Sequence, residues 1–403
     1  MTMMTIKQKQ CLIFSFILYM IACFGCIKVL DLMQYNLPWT LAFQHTSVWH
    51  MYDHSFTDVW AMNYPPIIGF IFYHIHRPVV WAYEHGYLHL AYGLVKLPFV
   101  LMHFMIVLYF HHTDTHNEKV FFFWMTNPLW FIVTGLWGQF DEVFCFMIYV
   151  LIDMMAHQKY KHLWSLFAVM CLLKHQGAYF IFPLCLYTWV IKLDITTKIK
   201  GFLCGFSIGI FGWLPFMLVY QDVFYPVQFM LHEMKVNQIL STAVNPWFLM
   251  QVVYSNGNET IIQWGWILIC LIAILFIFAY WRTKDSILST SLYMISLFMF
   301  SLGQRERYIL YSLTLLYYLV FVLQQTRYRK VYQAFYLAAI ISLSYFLINT
   351  WLPQNIAYAS LYVIFPIYFV LAVWLLIQTS DMINHVFQKQ SLATGDDTEA
   401  NNG

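Results

Sequence analysis

Charge is what this sequence has least of. Of its 403 residues only 10% are Asp, Glu, Lys or Arg, against about 25% in a typical soluble domain, which excludes an ordinary water-soluble fold. The net charge of +2 provides no basic surface for nucleic acid. A glycine-rich phosphate loop, a Walker sequence and an Asp-x-Asp nucleotide-sugar motif are all missing. Their absence argues against a nucleotide-sugar donor on the cytosolic side and against ATP-driven transport. The eight cysteines lie in apolar runs, and the close pair Cys23 and Cys26 falls mid-span. They read as small buried hydrophobes rather than disulfides or metal ligands. No internal repeat and no soluble domain stands out.

What is abundant is apolar: 61% of the chain is hydrophobic and 20% aromatic. A bilayer core of about 30 Å needs about 20 apolar residues per helical span. Aromatic side chains suit the membrane interfaces, or a cavity that accepts a lipid or sugar. Hydropathy predicts about twelve spans, near 11–30, 87–110, 119–136, 140–157, 162–175, 177–191, 201–220, 261–281, 286–303, 308–324, 331–350 and 357–378. The first run is too long for a signal-peptide core and has no clear cleavage site, so it is predicted as the first transmembrane helix.

Positive charge orients these spans. With a cytoplasmic N-terminus, most of the 21 basic residues fall in inner loops or at their edges, as the positive-inside rule requires. Two long loops, 31–86 and 221–260, then lie outside. The first contains short apolar stretches suited to lying along the membrane surface. The expected organisation is a single transmembrane domain over 1–380, followed by a polar cytoplasmic tail over 381–403 that is disordered from Gln388 to Gly403.

Polar residues near membrane depth are costly and commonly functional, and here they gather at the outer ends of spans. Asp31 ends the first helix, with Asp53 and Asp58 further along the same loop. Gly138-Gln139-Phe140-Asp141-Glu142 joins the third and fourth spans, Lys174-His175-Gln176 the fifth and sixth, and Gln304-Arg305-Glu306-Arg307-Tyr308 the ninth and tenth. The orientation brings all of them to one face. A carboxylate such as Asp31 can take the proton of an attacking hydroxyl. Arg305 and Arg307 suit a phosphate leaving group, because a guanidinium matches phosphate bidentately and stays charged; Lys174 adds a point charge. The structural alternative is that Asp31 caps a helix or sits among lipid headgroups, while the arginines pair with Glu306 or lipid phosphates. His111, His112 and His116, with Asp114, read as a solvated loop rather than a metal site.

The order of these motifs resembles the GT-C glycosyltransferases. Asp31 with Tyr35 and Trp39, then Asn63-Tyr64-Pro65-Pro66, is similar to their first outer loop. Gly138-Gln139-Phe140-Asp141 resembles the Gly-Gln-x-Asp segment of bacterial members. Leu173-Lys174-His175-Gln176 resembles a Lys-x-Gln segment, Asn245-Pro246-Trp247 an Asn-x-Trp motif, and Gln304–Tyr308 a His-Glu-Arg-Tyr motif. The likeness runs from about residue 28 to 310. It departs at Arg305, where many relatives have histidine, and at His103, where an acidic residue is common.

The resemblance implies an all-α GT-C-like membrane fold and a metal-independent transfer of a hexose with inversion. The donor is a polyprenyl-phosphate sugar, with no further cofactor, and the acceptor an extracytoplasmic glycan, lipid or polymer. Asp31 is then the base. Lys174, Gln176, Arg305, Glu306, Arg307 and Tyr308 bind the donor. Tyr35, Trp39, Asp53, Asp58, Tyr64, Gln139, Asp141, Asn245 and Trp247 line the acceptor side or cavity. Short loops and the lack of soluble domains point to a bacterial plasma membrane. A transporter or flippase of lipid-linked sugars, and an O-antigen-type ligase or polymerase, are the alternatives. The former tends to show internal symmetry, and the latter a very long outer loop late in the chain.

Overall fold

Long apolar runs make this chain helical, because a backbone out of reach of water must satisfy its own N–H and C=O groups. The computed structural model describes residues 4–25, 29, 31–53, 61–113, 118–191, 193–236, 244–245, 259–301, 304–352 and 354–388. Asp58, Trp247 and the tail beyond Gln388 lie outside the described residues. Among the described residues there is no strand, and the helices follow one another along the whole chain.

They are α1 (Ile6–Gly25), α2 (Leu37–Ala42), α3 (Pro66–Glu84), α4 (Leu88–Thr113), α5 (Glu118–Thr126), α6 (Pro128–Trp130), α7 (Asp141–Ala156), α8 (Leu163–Leu173), α9 (Ile181–Val190), α10 (Ile195–Val219) and α11 (Tyr225–Val236). After them come α12 (Glu259–Thr283), α13 (Ser286–Phe300), α14 (Ile309–Tyr317), α15 (Arg329–Trp351) and α16 (Gln354–Gln388). Among the described residues five segments, Ile6–Gly25, Leu88–Thr113, Ile195–Val219, Thr326–Asn349 and Val363–Val386, are long and apolar enough to cross a membrane. Their outward side chains are apolar as well: Ile13, Phe14 and Ile17 on α1, and Ile199, Phe202, Phe206 and Phe211 on α10, are all exposed. Such surfaces suit lipid and not water. The protein is an all-α membrane protein.

At the centre lie α13 and α14, apolar on every side, as a helix enclosed by others must be. Each residue from Ile287 to Met299, and each from Ile309 to Tyr317, is buried. The hydroxyls of Ser289, Thr290 and Ser291 on α13 turn back on carbonyls one turn earlier, Ser291 Oγ donating to Ile287 O at 2.8 Å, which meets their polarity within the core. Ser296 Oγ meets no partner among the described residues. The Gln304–Tyr308 motif connects these two most enclosed helices and is thereby held at the heart of the bundle.

Three departures from the hydropathy reading have local causes. The segment 31–86, expected as a loop with short apolar stretches, holds among its described residues the π-turn Leu32–Asn36, α2 and the 19-residue α3. Helix α3 starts at Pro66, where a proline's missing N–H costs nothing, and buries Ile68, Phe72, Val79 and Ala82. Phe72 meets Phe99 of α4 edge-on at 6.1 Å. Next, the expected span 119–136 is interrupted. Pro128 cannot donate to the turn before it, so α5 stops at Thr126, and Asn127 caps the new start by accepting from Leu129 N–H at 3.1 Å. A π-helical stretch, Phe131–Leu136, follows. Finally, α16 continues to Gln388, beyond the boundary expected at 380, because Met382 and Val386 still find buried places.

Candidate functional site

Four chain reversals meet beside the central helices, and each delivers one of the motifs. Asp31 opens the π-turn after α1. Its carboxylate makes no capping bond; instead Oδ2 accepts from Arg307 Nη1 at 2.9 Å and from Gln139 Nε2 at 2.8 Å. The helix-cap alternative for Asp31 therefore does not hold. Gln139 and Asp141 are placed by the reversal at Gly138, whose φ is +75°, a conformation that favours glycine. A Cβ on Gly138 would lie 2.4 Å from Lys96 Cγ, so conformation and space both require glycine here.

Asp141 opens α7 and is wholly buried. Its Oδ1 accepts from Lys174 Nζ at 2.5 Å and from Tyr311 Oη at 2.6 Å, and Oδ2 lies 3.3 Å from Arg307 Nε as an ion pair without hydrogen-bond alignment. Lys174 follows the last residue of α8 in an extended conformation, which swings it out of the helix and into the cluster. Its ammonium is ringed by Phe140, Tyr308 and Tyr311, with centroids 5.1, 5.1 and 5.6 Å away, a cation–π setting that offsets part of its lost hydration. Beyond it Gln176 donates to Tyr308 Oη and to His175 Nε2, both at 2.6 Å.

Arg307 ties the cluster together. Besides Asp31 and Asp141 it lies 3.5 Å from Glu306 Oε1, and its guanidinium stacks over Trp137 at 5.4 Å. Three carboxylates thus face the two cations Arg307 and Lys174. Such a network is stable only when every charge is met, since an unpaired buried ion costs several kcal/mol, of order 3–5. Among these carboxylates Asp31 keeps the most contact with the surface, at 16% side-chain exposure, against 0% for Asp141 and 2% for Glu306.

An aromatic path runs from the first loop into this cluster. Tyr35 lies 5.5 Å from Trp39, Trp39 5.7 Å from Tyr64, and Tyr64 4.8 Å from Phe140. Tyr35, Trp39 and Tyr64 are therefore neighbours of the cluster.

Other expectations need correction. Arg305 and Arg307 do not act as a matched pair: Arg307 is buried among carboxylates, whereas Arg305 is exposed and joins no ion pair among the described residues. Asp53 sits apart from the cluster. It accepts from Tyr220 Oη at 2.8 Å and pairs with His50 Nδ1 at 3.1 Å, pinning the first loop to the end of α10. Asn245 donates to Phe298 O at 3.0 Å.

Sequence reasoning missed Tyr311 and Trp137. Tyr311 lies one helical turn beyond Tyr308 and stacks on it at 5.4 Å, so an i, i+3 tyrosine spacing was the available signal. It also missed a second polar group beside the first. Glu142 accepts from Thr134 Oγ1 at 2.7 Å and pairs with His103 Nδ1 at 2.6 Å, while Tyr19 stacks on the His103 ring at 4.2 Å. Among the described residues no group of three or more His, Cys, Asp or Glu side chains is arranged to hold a metal ion.

Compared with known proteins, the chain matches no family model, and no curated protein matches it as a relative.

Proposed function

We propose that the protein is a bacterial plasma-membrane glycosyltransferase of GT-C type, with about twelve spans, that moves a hexose from a polyprenyl-phosphate sugar to an extracytoplasmic acceptor with inversion. The observation that carries this reading is the state of Asp31. It is the most accessible carboxylate of a buried charge cluster, it is oriented by Arg307 and Gln139, and it opens the long first loop. A base in that position takes the proton of an acceptor hydroxyl while the freed oxygen bonds to the sugar's anomeric carbon. The bond from that carbon to the phosphate oxygen breaks on the opposite face, and its electron pair leaves with the polyprenyl phosphate. Attack and departure on opposite faces invert the anomeric centre. The basic Gln304–Tyr308 turn offsets the phosphate's charge, and the positive-inside distribution of Lys and Arg supports an outward-facing site.

The test is to incubate purified protein in lipid nanodiscs with a panel of polyprenyl-phosphate sugars and candidate acceptors, and to follow release of polyprenyl phosphate. One donor should be consumed. Asp31→Asn keeps shape and most hydrogen bonding, so it should bind that donor but turn over about 10²–10⁴-fold more slowly. Near wild-type turnover in Asp31→Asn removes the proposed base.

A second reading has one observation in its favour. The Asn127-Pro128 interruption, with the π-helical stretch after it, is the kind of broken helix that transporters use around a bound substrate. A flippase of lipid-linked sugars moves labelled lipid across a proteoliposome without consuming it, which separates the two readings in one assay.

A further inference from the structure

Resting on the glycosyl-transfer reading, we infer that the two arginines of the Gln304–Tyr308 turn divide the work: Arg307 is a positioning residue that holds the Asp31 carboxylate, and Arg305 receives the donor's phosphate.

The guanidinium of Arg307 is already engaged. Nη1 faces Asp31 and Glu306, Nε faces Asp141, and the plane rests on Trp137. A phosphate arriving there meets three carboxylates against two cations, and like charges repel strongly where water is scarce. At Arg307 it would compete with Asp31, the group the reaction needs in place, for the same charge. Arg305 differs in each respect. Its extended backbone, φ −89° and ψ 154°, leaves it exposed while Glu306, Arg307 and Tyr308 are buried. It has no ion pair among the described residues, yet it stands two residues before Arg307 in the same turn. An exposed, always-charged fork in the same turn as Arg307 is what a phosphodiester can dock on.

The geometry at Asp31 completes the division. Arg307 and Gln139 both donate to Oδ2, which leaves Oδ1 as the oxygen to accept the acceptor's proton. Two donors on one oxygen fix the carboxylate's plane, and a small misplacement of a catalytic group can cost about 10²-fold in rate.

The experiment measures equilibrium binding of undecaprenyl monophosphate to nanodisc-embedded wild type, Arg305→Gln, Arg305→Lys and Arg307→Lys, with kcat taken on the donor found by the panel above. Arg305→Gln should weaken binding about 10–100-fold, the usual worth of a hydrogen bond to a charged group, and Arg305→Lys should restore much of it. Arg307→Lys should change the Kd by less than about threefold while lowering kcat about 10–100-fold. A wild type that binds no polyprenyl phosphate removes the glycosyl-transfer reading and this one with it. A wild type that binds, with Arg305→Gln binding equally well, overturns this inference alone, as does Arg307→Lys losing as much affinity as Arg305→Gln. Arg305 is exposed, so its variants fold and decide the phosphate question even where Arg307→Lys does not fold.

Discussion

Lys96 and Lys174 are both without exposed surface, yet they are held in different ways. Lys96 reaches backbone carbonyls: Ala22 O at 3.0 Å, Leu136 O at 3.3 Å and Gly135 O at 3.4 Å. Those carbonyls lie near the end of α1 and in the last turn of the π-helical stretch, where helix C-termini leave acceptors unmet. The ammonium there fastens two segment ends, and these three partners are backbone atoms. Lys174 instead faces a carboxylate, Asp141, which is shared with Tyr311 and Arg307. Its partners are side chains, and they connect through Arg307 to Asp31. A lysine fastened to backbone carbonyls secures architecture, whereas a lysine in a side-chain network shares in setting the charge at a site.

That contrast can be broken experimentally, and the largest effect is expected at Asp141. Asp141→Ala leaves Lys174 buried without its carboxylate and should cost about 3–5 kcal/mol, read by reversible denaturation in mixed micelles. Adding Lys174→Met should recover a large part, because the pair is coupled. A double variant no more stable than Asp141→Ala would show that Lys174 is held chiefly by its aromatic ring. Next in size is Gly138→Ala, expected to cost about 1–3 kcal/mol from its left-handed backbone and further through the clash with Lys96. The same substitution in a Lys96→Ala background should cost less, since the clashing side chain is gone while the backbone strain remains. Equal costs in both backgrounds would separate Gly138 from Lys96. The smallest change is Tyr311→Phe, which deletes one donor to Asp141 and should cost about 1 kcal/mol, because Lys174 still faces that oxygen.

Much of the architecture was legible beforehand. Apolar runs long enough to cross a bilayer have few alternatives to helix, so the expected spans correspond in order to observed helices, with the interruption at Asn127-Pro128. The polar junctions stood out too, because Asp31, Gln139, Asp141, Lys174 and Arg307 sit where apolar runs end. Helix α3 was harder to see. Its stretch His74-Ile75-His76-Arg77-Pro78 lowers the mean hydropathy, and its apolar residues cover one face only.

Pairing was not legible at all. Arg305 and Arg307 are near-identical in the sequence, yet one is exposed and the other enclosed by three carboxylates. Asp53 resembles Asp31 as a loop carboxylate, but it bonds Tyr220, 167 residues away.

The sequence alone determined that the chain is helical, that it belongs in a membrane, and which polar residues stand at the ends of its helices. These follow from composition and run length, quantities local to the chain. Only the tertiary structure decided which carboxylate each cation meets, that Asp31 is oriented while Asp53 is tied away, and that Arg305 remains open. A buried charge is governed by whichever partner lies within a few ångströms of it, and that distance is set by how the helices pack rather than by any spacing along the chain.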